Sequence, residues 1–142
     1  MAALILATSL EGGHAFSLEP YRVVADAIPE PLGGRVGDPR RGARILRDRE
    51  VGNCLICHSL DDPSERFQGE LGPALDGIGA RLSEGQIRLR IVDSLRLNEA
   101  TLMPSYYRVE GLRRVAPQYR GKPILDAQQV EDLVAYLASL RG

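Results

Sequence analysis

The chain has 142 residues, 44% apolar and 26% charged, which suits one compact domain and excludes a disordered or fibrous protein. A formal net charge of −1 provides no global field to recruit nucleic acid or an anionic membrane, so charge-driven recognition must be local. Aromatic residues are scarce, with two Phe, five Tyr and no Trp, so filling a core calls for an apolar body from outside the chain.

Residues 1–15 hold an apolar run, Ala2 to Leu10, followed by Gly13-His14-Ala15, and read as a signal peptide cut after Ala15. The run is too short to cross a bilayer, which takes ~20 apolar residues. No basic residue precedes it, and an uncleaved arm is the alternative. Ala25-Asp26-Ala27 also fits a cleavage site but lies far from the apolar run. Export would place the mature chain, with no membrane span, in an oxidising compartment.

Residues 16–37, with Pro20, Pro29, Pro31 and Gly33-Gly34, are expected to form an extended N-terminal arm ahead of a domain at 38–142. Asp38 offers an N-cap oxygen and Pro39 the preset φ of a first helical residue, which predicts a helix to about Glu50. From Ser59 to Gly79, prolines and glycines predict a long loop, and a loop of that length in a small domain is usually functional. Ser83 and Gln86 form a capping box before Ile87, Ile91 and Leu95, predicting a second helix over 83–95. Residues 98–125 read as another loop. Asp126 and Gln129 repeat the capping box, and Val130, Leu133, Val134 and Leu137 form the stripe of a C-terminal helix. No convincing strand is visible, so the fold class is all-α.

Cys54-Leu55-Ile56-Cys57-His58 is the C-x-x-C-H signature of c-type haem attachment. Two thiols add across the two vinyl groups of the porphyrin, and the adjacent His58 reaches the iron from the same turn. Structural zinc needs about four Cys or His ligands, and the chain has two of each in all, counting His14. A thiol oxidoreductase would show a βαβ context, which is missing. A disulfide across a two-residue gap would stabilise weakly and leave His58 without a task.

A haem that carries electrons usually keeps both axial positions filled. Met103, the sole methionine beyond the initiator, sits next to Pro104 in a loop and is the natural ligand opposite His58. The alternatives are that Met103 fills a gap in the core, or that a retained His14 competes for the iron. Pro73, in Leu71-Gly72-Pro73, offers a carbonyl with no N–H of its own and would suit the free ring nitrogen of His58. An ordinary loop proline explains it equally well.

The order helix, C-x-x-C-H, Leu71-Gly72-Pro73, helix, Met103-Pro104 and amphipathic C-terminal helix resembles class I cytochromes c. The resemblance implies that helices wrap one covalent haem, that the first and last helices cross at Gly42 and Tyr136, and that the Pro73 carbonyl holds the His58 ring. A narrower likeness rests on Gly77-Ile78-Gly79-Ala80-Arg81-Leu82, Ile91-Val92-Asp93-Ser94, Met103-Pro104-Ser105-Tyr106-Tyr107, Gly111 to Pro117 and Gly121 to Leu125. These resemble the SoxX family, monohaem subunits of the SoxAX complexes of bacterial sulfur oxidation. That implies a periplasmic heterodimer with SoxA, in which SoxA holds the catalytic haem and thiosulfate is joined oxidatively to a cysteine of the carrier SoxYZ (L-cysteine S-thiosulfotransferase). The chain itself would pass the released electrons to a downstream cytochrome and catalyse nothing alone.

Arg113, Arg114, Arg120 and Lys122 share a stretch, Gly111 to Leu125, without an acidic residue. Such a patch would steer an acidic partner, SoxA above all, pair with haem propionates, or simply be a solvated loop. Two other functions fit the motifs: a free electron shuttle outside sulfur metabolism, and a haem enzyme or gas sensor with an open sixth position.

Overall fold

The computed structural model describes residues 18–142; the expected signal segment and His14 lie outside them. Among the described residues four α-helices run in chain order: α1 Pro39–Arg47, α2 Ile78–Arg81, α3 Glu84–Val92 and α4 Ala127–Ser139. Among the described residues the only β pairing is the isolated bridge between Val24 and Ala27. No helix among them is long and apolar enough to cross a membrane.

The helix starts follow the side chains at their N-termini. The Asp38 carboxylate accepts the amides of Arg40 and Arg41, with Pro39 at the first helical position. Ser83 with Gln86 and Asp126 with Gln129 both close complete capping boxes. The ends differ from expectation. Helix α1 stops at Arg47 because the Asp48 side chain takes the amides of Glu50 and Val51, an alternative to the helical ladder. Helix α3 ends at Val92, where Asp93 turns out of helical geometry to meet Ser105 and Arg108, and a 3-10 turn, Ser94–Arg96, follows. Helix α2 lies at the end of the segment expected to be loop. Four residues are too few for a periodic signal.

Helix α4 is the axis of the fold. Gly42 on α1 abuts it so closely that a Cβ there would collide with the Asp132 carbonyl and the Tyr136 Cβ. Gly79 on α2 meets the Ala138 carbonyl in the same way. Leu46, Ile87, Leu89, Val92, Val130, Leu133 and Val134 form the centre of the core. The Arg47 guanidinium lies 5.7 Å from the centroid of the Tyr136 ring and bonds Asp62, which ties α1, α4 and the following loop together.

Residues 18–37 carry one 3-10 turn, Leu32–Gly34, and are otherwise without helix. They are nonetheless fastened to the body. Ile28 and Leu32 are fully buried, the Ile28 amide bonds the Gly85 carbonyl, and the Leu32 amide bonds Glu131. Arg88 and Glu131 form a buried two-point ion pair, both bonds 2.8 Å, and Arg88 also donates to the Ile28 carbonyl. This pair joins α3, α4 and the N-terminal segment.

Candidate functional site

Cys54 opens a 3-10 turn, Cys54–Ile56, entered through Asn53 in the left-handed region at φ 49°. The amides of Cys57 and His58 both bond the Cys54 carbonyl, at 3.1 and 3.0 Å, so two thiols and an imidazole leave one tight turn. Both cysteines are half-buried, and they form no disulfide with each other. Before any attachment, burial pushes the Cys54 thiol up to about 11, with a partial offset from Tyr106.

The loop after His58 folds back along this turn. Gly69 donates to the Leu55 carbonyl, Gly72 to Cys57 and Leu75 to Ser59, while the Gln68 amide bonds the backbone of Leu60 and Glu65. That path brings the Pro73 carbonyl to 2.7 Å from His58 Nδ1, leaving Nε2 as the nitrogen with no protein partner. Gly72 packs flat against the imidazole, and a Cβ there would strike the ring. Glycine is therefore required by close approach rather than by its backbone angles.

On the opposite side, the segment after Met103 runs beside the end of α3. The amides of Tyr106 and Tyr107 bond the carbonyls of Ile91 and Val92, and Tyr106 receives Ile124 and Leu125 in turn. Ser94 Oγ donates to the Met103 carbonyl at 2.7 Å, Ser105 Oγ donates to Asp93 at 3.2 Å, and Arg108 pairs with Asp93 at 3.2 Å. Asp93, Ser94 and Ser105 are buried. The buried Tyr106 hydroxyl donates to the Gly52 carbonyl at 2.8 Å, linking this segment to the start of the cysteine turn. Burial raises its pKa further above the ordinary phenol value, so it remains a donor.

Between the two sides lies a cavity of about 640 Å³, within the ~300–1,000 Å³ typical of cofactor pockets. Cys54, Cys57, His58, Pro73 and Met103 all line it, so residues spread over fifty positions of sequence meet at one space. The donor set fits a c-type haem: two thiols and an imidazole from one turn, a thioether on another segment, and a rim of exposed apolar side chains at Ile56, Leu71 and Leu102.

A cytochrome c family model matches residues 39–141. A search of curated proteins found no match. The solved structures that resemble the chain include the crystal structure of SoxXA from P. pantotrophus, with a TM-score of 0.79 and 37% identity, over 86% of this chain and 95% of that one. The chain belongs to the cytochrome c family and is of the SoxX type.

A cytochrome c carries haem c covalently, and Cys54 and Cys57 fit its attachment motif. The all-α class I fold expected from the sequence is what this cytochrome has. The sequence motifs included Gly72, Asp93, Ser94, Ser105 and Tyr106 but gave them no role: Gly72 lies against the imidazole, the Tyr106 hydroxyl holds Gly52, and Asp93, Ser105 and Ser94, with Arg108, which no motif included, stand behind Met103. No spacing rule marks these residues, because each acts through a fold contact with a distant segment. Arg113, Arg114, Arg120 and Lys122 are all exposed, and none makes an ion pair among the described residues.

Proposed function

We propose that this chain is the electron-relay subunit of a periplasmic, two-cytochrome complex of the SoxAX kind, which joins thiosulfate oxidatively to a cysteine of a SoxYZ carrier. The observation that carries this reading is that Met103 lines the same cavity as the Cys54-to-His58 turn in a chain 37% identical to a SoxXA structure. In this reading Cys54 and Cys57 would hold the haem by thioether bonds, and His58 Nε2 and Met103 Sδ would ligate its iron. Haem c, when bound, supplies a one-electron couple. With both ligands in place the chain would offer substrate no open site, and the sulfur chemistry would belong to the SoxA-like partner.

The residues of the chain then act by holding positions. The Pro73 carbonyl accepts from His58 Nδ1, which fixes the ring orientation and leaves Nε2 for the metal. Ser94 fixes the Met103 backbone, and Pro104 stiffens the next peptide. A rigid pair of ligands keeps reorganisation on electron transfer small. A thioether opposite imidazole also favours a higher potential than two imidazoles would. Electrons leaving the SoxA-like partner would pass through this site to a downstream cytochrome, and the residues 1–15 reading supplies the export route.

Co-purification from the native periplasm tests the assignment. The expected result is recovery with a second, larger cytochrome and a complex competent in thiosulfate oxidation. Elution of the chain alone at every concentration would instead identify a free electron shuttle.

A further inference from the structure

A second cavity, about 1,020 Å³, shares its Met103-Pro104 wall, Tyr119 and Ile124 with the haem cavity. Its charge is one-sided. Arg96, Arg108, Arg113, Arg114 and Lys122 line it, and Glu99 is the only acidic residue that does. Arg108 is answered by buried Asp93. The other four cations have no ion-pair partner among the described residues, so four positive groups face one carboxylate. Both carboxylates of a haem turned towards them would still leave a positive excess.

The backbone here is held in an uncommon shape. Arg114 sits at φ 57°, in the left-handed region that few non-glycine residues occupy, between Gly111 at φ 68° and Gly121 at φ 68°. Such strain persists only where surrounding structure imposes it, and it collects at binding sites. Two consecutive arginines at this bend line the same concave space. Guanidinium groups clustered in a concavity bind planar or tetrahedral oxyanions through paired N–H donors, far better than they bind monovalent halide.

We infer that this cavity is a binding site for a multivalent oxyanion, seated against the Met103-Pro104 wall that it shares with the haem cavity. The site is built by the loop 111–122 and the turn that carries Arg96. An anion held there would lie across the shared Met103-Pro104 wall from the haem cavity and would stabilise the oxidised, more positive state over the reduced one. Binding is therefore stronger to the oxidised protein, and the bound anion lowers the midpoint potential.

The test uses the haem-loaded protein, titrated calorimetrically with sodium sulfate and, separately, with sodium chloride at matched ionic strength. The midpoint potential is followed in the same two series. Sulfate is expected to give a saturable heat and a saturable fall in potential that chloride does not. R113Q/R114Q should abolish both responses, and K122Q should weaken them, with haem absorption and circular dichroism as in the parent protein. R120Q removes the same charge from the same exposed loop at a position that does not line the cavity, and should leave both responses intact. Equal responses to sulfate and chloride would reduce the effect to screening and overturn the proposal. So would the absence of saturable heat, as when haem carboxylates already occupy the cations, or an R120Q loss as large as that of R113Q/R114Q.

Discussion

Ser94 Oγ donates a 2.7 Å hydrogen bond to the carbonyl oxygen of Met103, so the 3-10 turn after α3 anchors the segment that carries the chain's one internal methionine. Ser94 is itself braced by Ser105, and Ser105 by Asp93 and its arginine partner Arg108. Removing the hydroxyl in Ser94→Ala leaves a carbonyl short of its donor, which costs about 1 kcal/mol. The sulfur-to-iron absorption band should then be lost at lower denaturant than in the parent protein, while the cysteine attachment is unaffected. An unchanged denaturant midpoint for that band would show that Met103 is held by other means.

Gly72 is a test of the other side. A Cβ placed there would lie 2.6 Å from His58 Nδ1, so Gly72→Ala must push the ring, the loop or both. The 2.7 Å hydrogen bond from His58 Nδ1 to the Pro73 carbonyl ties that ring to the same loop. The expected outcome is a lower yield of haem-loaded protein and a stability loss of about 1–3 kcal/mol by urea unfolding, as for overpacked sites. A variant with parental yield and stability would mean that the loop moves aside freely.

The buried pair Arg88–Glu131 makes a sharper energetic statement. Arg88→Met leaves the Glu131 carboxylate buried with only the Leu32 amide, and the Ile28 carbonyl without its guanidinium donor. Loss of one partner of such a pair costs about 3–5 kcal/mol. Arg88→Met with Glu131→Leu should recover part of the loss, since no unpaired charge remains. Thermal unfolding of the two variants measures the difference directly.

Stability should fall in acid. Hydrogen bonds from Ser64 and then Arg47 hold the Asp62 carboxyl down at about 2, against an ordinary value of 3.8. Asp38 is lowered by the Arg41 and Arg40 amides. At Asp132 burial opposes the charge, but bonds from Arg41, the Asp38 amide and Gln128 outweigh it and lower the pKa. Folded-state values below the unfolded ones mean that the unfolded chain binds more protons in acid. The stabilisation is therefore complete above about pH 4 and is lost as the pH falls towards 2. Thermal midpoints measured across that range should drop, and Asp132→Asn should flatten the slope by removing one of the three groups.

Helix starts were the most legible part of the fold, because caps are local: Asp38, Ser83 and Asp126 each announced a helix with its own side chain. Helix ends were not. Asp48 and Asp93 end α1 and α3 by side-chain bonds, one to amides just downstream and one to residues twelve and fifteen positions on, and apolar spacing carries no trace of either. The cysteine turn was legible for the same reason as the caps, since Cys54, Cys57 and His58 act within five residues. The resemblance set Gly42 against Tyr136, where the fold has it, but glycines at 72 and 79 owe their identity to what lies opposite, which only the folded chain shows. The ion pair of Arg88 and Glu131 was hidden too, because charged residues on a helix ordinarily face water.

The proposed closure of the iron by Met103 is tested most directly in the oxidised, haem-loaded protein by its sulfur-to-iron charge-transfer absorption, compared between the parent chain and Met103→Ala. The band is expected in the parent and absent from the variant, which should also gain the ability to bind added imidazole. A spectrum unchanged by the substitution would contradict Met103 ligation and, with it, the reading of this chain as a closed relay.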